Sequence, residues 1–268
     1  MIAFITGASS GIGFQTAKLL LQRGDTVYCG ARRIEAMEEL KALGAHILKL
    51  DVTIEDEISA SVDFILQKSG RIDVLINNAG YGMFGSIEDV KAEDAKRQFE
   101  VNVFGLANVT KAVIPIMRKN KFGRIINISS MGGKMYTPLG GWYHSSKFAV
   151  EGLSDCMRYE LRHFGIAVVL IEPGAIDSEW YDIMLKNMNS TKENSEYKTT
   201  IEAYEKYVLN NRKFFSPPIK VSKTILKAIK SRHPRARYSV GFMAKPAICL
   251  YKLLPTKIYD RALHLIFK

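Results

Sequence analysis

Tyr143 and Lys147 stand four positions apart in the segment GWYHSSKFAV, Gly141 to Val150. If that segment is helical, the spacing puts both side chains on one face, one turn apart. A phenol with its ordinary pKa of about 10 is a weak proton donor or acceptor at neutral pH. An ammonium roughly 4 Å away, at an effective dielectric of about 20, favours the phenolate by about 4 kcal/mol, or about three pKa units. Such a shift would bring the hydroxyl towards neutrality, where general acid–base catalysis works best. A Tyr–Lys pair at this spacing is also an ordinary helix-surface arrangement, so its meaning depends on what else the chain holds.

A second chemical signal lies near the start. TGASSGIG, Thr6 to Gly13, separates the apolar run Ile2 to Ile5 from a helical pattern beginning near Phe14. Gly7 permits a tight turn, and Gly11 and Gly13 let the backbone approach a ligand or another element closely. The helix that follows presents free N–H groups and the positive end of its dipole, which suits a pyrophosphate. The spacing is GxxxGxG rather than GxGxxG. At the expected end of the second strand the chain reads GARR, Gly30 to Arg33. Alanine stands where an NAD-binding protein places a carboxylate on the ribose 2′-hydroxyl. A guanidinium matches a 2′-phosphate through forked hydrogen bonds. Arg32 is assigned that contact, with Arg33 stacking near the adenine or solvated, and NADPH is favoured over NADH.

These groups need a frame to hold them. Ile2 to Ile5, Val27 to Cys29, Ile47 to Leu50, Val74 to Ile76, Ile125 to Ile128 and Val168 to Ile171 are short, β-branched and apolar. They predict strands buried on both faces. Helical patterns fall between them. Phe14 to Arg23 stops at Gly24, and Ile58, Val62, Ile65 and Leu66 lie on one face ahead of Gly70. The alternation predicts an α/β fold: a Rossmann-type doubly wound parallel sheet with helices on both faces, in one domain spanning 1–268. After Pro173-Gly174 the pattern lapses. The polar run Asn187 to Thr200 is either part of a substrate lid over 179–216 or a surface insertion. Tyr238 to Val240 predicts a last strand, followed by a Pro-interrupted tail over 245–268.

Composition narrows the function classes. The 268 residues contain three distant cysteines, Cys29, Cys156 and Cys249, without CxxC spacing, as expected of free thiols in a reducing, cytoplasmic setting. Five histidines form no HExxH or related pattern, so no metal site is expected. No run of eighteen apolar residues predicts a membrane span, and the N-terminus reads as strand and turn rather than a signal peptide. The net charge of +11 is uneven: residues 206–268 hold fifteen of the 38 Lys and Arg but one of the 27 Asp and Glu, leaving 23 bases and 26 acids elsewhere. No nucleic-acid module accompanies this charge, and no nucleic-acid partner is expected.

Taken in order, Thr6-Gly7-x-x-x-Gly11-x-Gly13, Asp51-Val52, Asn77-Asn78-Ala79-Gly80, Asn102, Ser130, Tyr143-x-x-x-Lys147 and Pro173-Gly174 resemble the short-chain dehydrogenases/reductases over about residues 2 to 178. GxxxGxG is that family's own spacing. The resemblance implies that Tyr143 is the general acid or base, and that Lys147 supports its phenolate character and contacts the nicotinamide ribose. It implies that Ser130 polarises the carbonyl and that Asn102 holds a water in a proton relay; Ser129 is the weaker serine candidate, and His144 is structural. It further implies cofactor contacts from Gly7, Ser9, Ser10, Gly11, Ile12 and Gly13, from Arg32, Arg33, Asp51 and Val52, and from Asn78, Ala79 and Gly80. Pro173, Gly174, Ile176 and Ser178 complete that set, Ser178 standing where the family usually has threonine.

SMGGKMYTP and the long tail look more like the steroid/retinol-dehydrogenase-like branch than compact ketoreductases. That implies an NADP(H)-dependent carbonyl reductase or alcohol dehydrogenase acting on a hydrophobic ketone, aldehyde or secondary alcohol of lipid metabolism, in a homodimer or homotetramer. A non-catalytic NADP(H)-binding sensor and a 3-oxoacyl reductase are the alternatives. Trp180, Tyr181, Ile183, Met184 and Leu185 are candidates for one pocket wall, and Met135, Tyr136 and Leu139 for the other. In the tail, Ile258, Ala262, Leu265 and Ile266 share a helical face beside Lys257, Arg261 and Lys268. This face either rests on an anionic membrane or packs against protein.

Overall fold

The computed structural model describes residues 1–267. Its centre is a sheet of seven parallel strands: β1 (Ile2–Thr6), β2 (Thr26–Ala31), β3 (His46–Lys49), β4 (Val74–Asn77), β5 (Gly123–Ile128), β6 (Ile166–Pro173) and β7 (Arg237–Val240), in the order β3-β2-β1-β4-β5-β6-β7. All seven predicted runs are strands. Side chains along β1, β2, β4, β5 and β6 alternate between two buried faces. On one, Ile5, Cys29, Ile76, Ile126 and Val169 meet Ala17 and Leu20 of α1 (Gly11–Gln22) and Val221 and Ile225 of α9 (Pro218–Lys230). On the other, Phe4, Tyr28, Leu75, Ile125 and Val168 meet α3 (Glu55–Ser69) and α5 (Leu106–Lys119). At roughly 1.5–3 kcal/mol for each fully buried large apolar side chain, this two-sided packing is what fixes the sheet.

The remaining helices in chain order are α2 (Glu38–Ala42), α4 (Ala92–Phe99), α6 (Gly141–Leu161), α7 (Glu179–Asn189), α8 (Lys198–Asn211), α10 (Ala244–Leu253) and α11 (Thr256–Ile266). α1 starts three residues earlier than the predicted Phe14, directly on the glycine turn. α3 ends where predicted, at Gly70 in the left-handed conformation (φ +69°). A π-helix, Glu100–Gly105, joins α4 to α5. The continuous helical stretch Ala92–Lys119 is long and apolar enough to cross a membrane by length and composition, contrary to the expectation of no such segment. Val109, Val113 and Met117 on it are fully buried against the sheet, so here it serves as a core helix.

The polar run Asn187 to Thr200 is not a loop throughout. It holds the end of α7, a 3-10 turn and the start of α8. Its order comes from polar pairing rather than apolar periodicity: Ser195 Oγ donates to Asp89 (2.6 Å), Tyr197 OH to Glu88 (2.9 Å) and Asn189 to Glu205 (2.8 Å). Both ends of the 179–216 excursion are pinned at one place. Asp177 N donates to Ser216 O, and Ser216 N donates to Ala175 O, each at 3.0 Å. Arg212 adds ion pairs to Asp177 and Asp182.

Strand order reverses between β1 and β4, which lie side by side and lead to their chain neighbours in opposite directions. Ligands of open parallel sheets bind in the crevice at the carboxyl ends of such strands. Thr6-Gly7 and Asn77-Asn78 occupy those ends.

Candidate active site

Two loops are stitched together across this crevice. Thr6 Oγ1 accepts the N–H groups of Asn78 and Ala79 (3.1 Å each), while Asn78 Nδ2 donates to the carbonyls of Thr6 (3.1 Å) and Gly7 (2.8 Å). Gly7 has φ +67°, and a Cβ there would lie 2.7 Å from Ala79 Cα. Only glycine serves both the turn and the contact. Of the two roles open to Gly13, close approach to a ligand or to another element, the structure shows the second. Gly13 does not line the cavity described below, and a Cβ on it would fall 2.5 Å from Asn78 Nδ2 and from Gly7 O. It lets α1 seat against the stitched loops.

Ser10 caps α1 with extended backbone, but its hydroxyl makes no capping bond and the first turn carries no acid. The helix therefore keeps its positive end available. Arg33 reaches over this loop, with Nη2 3.5 Å from Ser9 Oγ, 3.3 Å from Ser10 Oγ and 3.1 Å from Glu179. Arg32 lies on the other side, near Asp51. Both arginines line the cavity described below, Arg33 against the glycine-rich loop and Arg32 towards Asp51. Burial alone would raise the Asp51 pKa, but hydrogen bonds from Thr53 and the charges of Arg97 and Arg32 hold it below the usual carboxylate value.

At the other end, α6 delivers Tyr143 and Lys147 from one buried face. Lys147 Nζ donates to Ile128 O at the end of β5 (2.9 Å) and lies 6.0 Å from the Tyr143 ring centre. Ser130 Oγ accepts the Gly132 N–H (3.0 Å) and acts on the Tyr143 hydroxyl in the sense that lowers its pKa. Asn102, turned inward by the π-helix, is fully engaged. Its Oδ1 accepts from Tyr81 N (3.1 Å), and its Nδ2 donates to Tyr81 O (3.0 Å) and Ser146 Oγ (3.1 Å). It braces the loop after β4 and, like Gly13, lies outside the cavity lining.

The electrostatics run against the expectation that Lys147 lowers the phenol. Burial pushes the Tyr143 hydroxyl up to about 12, and Ser130 opposes this only in part. Burial also pulls Lys147 down to about 8, with Glu151 one turn on opposing. Desolvation outweighs charge attraction because both groups are enclosed and the ammonium is aimed at a carbonyl. Tyr143 is therefore a protonated acid at neutral pH.

His144 has the structural part expected of it. Its Nδ1 lies 3.0 Å from Gly132 O, and its Nε2 accepts the Thr137 N–H (3.0 Å), holding the loop that carries Ser130. Burial lowers its pKa to about 4. Because the neutral ring is the folded form, the protein should lose stability as pH falls from about 6.5 to about 4, by about 3 kcal/mol at about 1.4 kcal/mol per pKa unit. Urea titrations at both ends of that window should show this loss in the wild type and a smaller one in His144→Gln. Equal losses would contradict the assignment.

One cavity of about 460 Å³ joins the two ends. Ser9, Ser10, Gly11, Ile12, Arg32, Arg33, Asp51 and Val52 line it at the loop end, with Asn78, Ala79, Gly80, Pro173, Gly174, Ile176 and Ser178 along its length. Gly11 (φ +56°) leaves open space, a Cβ there meeting nothing nearer than Ser178 Cβ at 3.6 Å. Beyond Ser130, Tyr143 and Lys147 the lining is Phe84, Met131, Met135, Thr137, His144, Trp180, Tyr181, Ile183 and Tyr204. Of the predicted wall residues, Trp180, Tyr181, Ile183 and Met135 line the cavity. Met184 and Leu185 are buried in the apolar cluster that α7 shares with α8 and the tail, and Tyr136 packs on the tail. Phe84 and Tyr204 were missed. Phe84 sits four residues after Asn77-Asn78-Ala79-Gly80, a usable signal, whereas Tyr204 has none.

Residues 1–191 match the family model described as short chain dehydrogenase. The chain belongs to the short-chain dehydrogenase family. It is 36% identical to the 3-ketodihydrosphingosine reductase of Bacteroides thetaiotaomicron over 99% of this chain and 97% of that protein. The crystal structure of a short-chain dehydrogenase from Streptomyces avermitilis superposes with a TM-score of 0.81 at 32% identity, covering 92% of this chain and 90% of that one. Serine dehydrogenase complexed with NADP+ (TM-score 0.78, 26% identity, 91% and 95% covered) and a Brucella melitensis 3-ketoacyl-(acyl-carrier-protein) reductase complexed with NADH (0.72, 26%, 88% and 91%) share the fold. The protein is therefore a short-chain oxidoreductase, and two of the structures that share its fold hold a nicotinamide dinucleotide. Its uncapped α1 terminus, open Gly11 and loop hydroxyls fit such a group.

Proposed function

We propose that this short-chain dehydrogenase is an NADP(H)-dependent carbonyl reductase acting on a ketone or aldehyde carried by a long apolar molecule, of the steroid, retinoid or sphingoid-lipid kind. The observation that carries the proposal is the substrate end of the cavity. Among the described residues lining it beyond Tyr143 none is charged, and four are aromatic apart from His144: Phe84, Trp180, Tyr181 and Tyr204. A substrate with a carboxylate would be desolvated there without a partner, whereas an apolar chain gains by burial. The likeness to 3-ketodihydrosphingosine reductase supports the same class.

A reduced nicotinamide, when held in this cavity, would supply the hydride for the carbonyl carbon. The chain supplies the rest. Ser130 and Tyr143 place two hydroxyls where negative charge grows on the carbonyl oxygen, and Tyr143 gives up its proton to it. An alkoxide is far more basic than a phenolate, so a proton held at about 12 still transfers downhill. Lys147, charged below about 8, stabilises the phenolate left behind. Asn102 keeps the loop after β4 against α6. Arg33, with Arg32 beside it, is the proposed 2′-phosphate contact.

Initial rates with NADPH across 2-ketones of increasing chain length should show kcat/KM rising roughly tenfold per two methylenes until the cavity is filled, at about 0.8 kcal/mol per buried CH2. A flat series, or faster turnover of charged keto acids, would contradict this reading.

A further inference from the structure

The tail settles neither wholly on protein nor wholly in solvent. Tyr259, Leu263 and Phe267 are buried at 4%, 8% and 8% exposure, while Leu250, Leu253, Ile258, Leu265 and Ile266 are exposed at 47%, 76%, 49%, 79% and 48%. Isolated exposed leucines need no explanation. Five large aliphatics on two consecutive short helices are different. Each exposed apolar face is edged by exposed bases, Lys245 and Lys252 on α10 and Lys257 and Arg261 on α11. The tail's one acid, Asp260, is occupied by the Tyr136 hydroxyl.

The structure assigns this face to the surface of an anionic lipid bilayer. The leucines and isoleucines enter the headgroup region and the bases pair with lipid phosphates, the arrangement of an interfacial amphipathic helix. Among possible occupants, a second copy of this chain would bring the same bases against each other. A bilayer of opposite charge complements them.

The buried side gives the docking a consequence, which rests on the proposed substrate class. Phe267 stacks on Tyr204, a lining residue, with ring centres 5.0 Å apart and planes within 12°. Tyr259 donates to Tyr136 O (2.9 Å) in the loop carrying Ser130. The membrane-facing helices thus form the layer directly behind the substrate wall, and a lipid substrate reaches the cavity from the bilayer.

The test is co-sedimentation of the full-length protein with phosphatidylcholine vesicles, with or without about one quarter phosphatidylglycerol. At least a roughly tenfold preference for the anionic vesicles is expected, falling as salt screens it. Leu253→Glu/Leu265→Glu and Lys252→Glu/Lys257→Glu should each abolish binding while leaving turnover of a short, water-soluble ketone unchanged. Both pairs are exposed, and the readout needs no turnover, so loss of the reductase reading would leave the result interpretable. Equal binding to neutral vesicles, or binding unaffected by both variants, overturns the proposal. So does a wild type that ignores vesicles and whose light-scattering mass falls in the leucine variant, which would assign the face to a second copy.

Discussion

Replacing Tyr143 by phenylalanine is expected to lower kcat about 10³-fold while changing the NADPH dissociation constant less than about threefold, the scale of a lost general acid. The ring would keep its packing against Phe84 (5.5 Å between centres) and Trp180 (5.1 Å), so the wall survives and only the hydroxyl is lost. Ser130 would remain to polarise the carbonyl, which leaves a residual rate rather than none. The pH profile carries a second sign. Tyr143 stays protonated past pH 10, so it does not limit reduction on the alkaline side. Lys147 does: as pH rises through about 8 it loses the charge that stabilises the phenolate. The wild-type reductive kcat should therefore fall above about pH 8. A profile flat to pH 10 would argue that Lys147 acts through position alone.

Removing both guanidiniums, Arg32→Ala with Arg33→Ala, is expected to raise KM for NADPH about 100-fold and to leave KM for NADH within about threefold. A charge-assisted, forked contact to a phosphate contributes roughly 1.5–3 kcal/mol, and the alanine at position 31 leaves no carboxylate to compensate on the NADH side. Arg33→Ala alone should account for most of the effect, since Arg33 is the residue drawn over the Ser9 and Ser10 hydroxyls. Arg33 also holds Glu179 at the start of α7. That pair is exposed and contributes little stability, so the variant should remain folded. Parallel losses for both cofactors would show that the arginines act on the loop, not on the phosphate.

How much of this was legible in the sequence follows from what each feature depends on. The strands depended on local pattern, and apolar runs such as Val74 to Ile76 emerge as strands because they are buried on both faces. The turn at Gly7 and the Tyr143–Lys147 pair were likewise set within a few residues. Other features depended on distant neighbours. Gly13 is a glycine because Asn78 and Gly7 crowd it, not because a ligand does. The direction of the Tyr143 pKa followed from enclosure by Phe84, Trp180 and Tyr204, which no spacing within α6 could reveal. The π-helix that turns Asn102 towards Tyr81 and Ser146 has no compositional signature in EVNVFG. The helical structure within Asn187 to Thr200 escaped because that run has little apolar periodicity and is tied by polar pairs such as Ser195–Asp89. Arg32 and Arg33 were indistinguishable as types, and only the path of β2 into the loop separates them.

The central claim is that Tyr143 protonates an apolar carbonyl as it receives a hydride. It is tested most directly by incubating the enzyme with NADPH deuterated at both C4 positions and a long-chain ketone, then weighing the recovered alcohol. The account predicts alcohol carrying one deuterium on the carbinol carbon from the wild type, and about 10³-fold less from Tyr143→Phe at equal cofactor occupancy. Tight NADPH binding with no labelled alcohol from the wild type, or equal labelled product from both proteins, would contradict it.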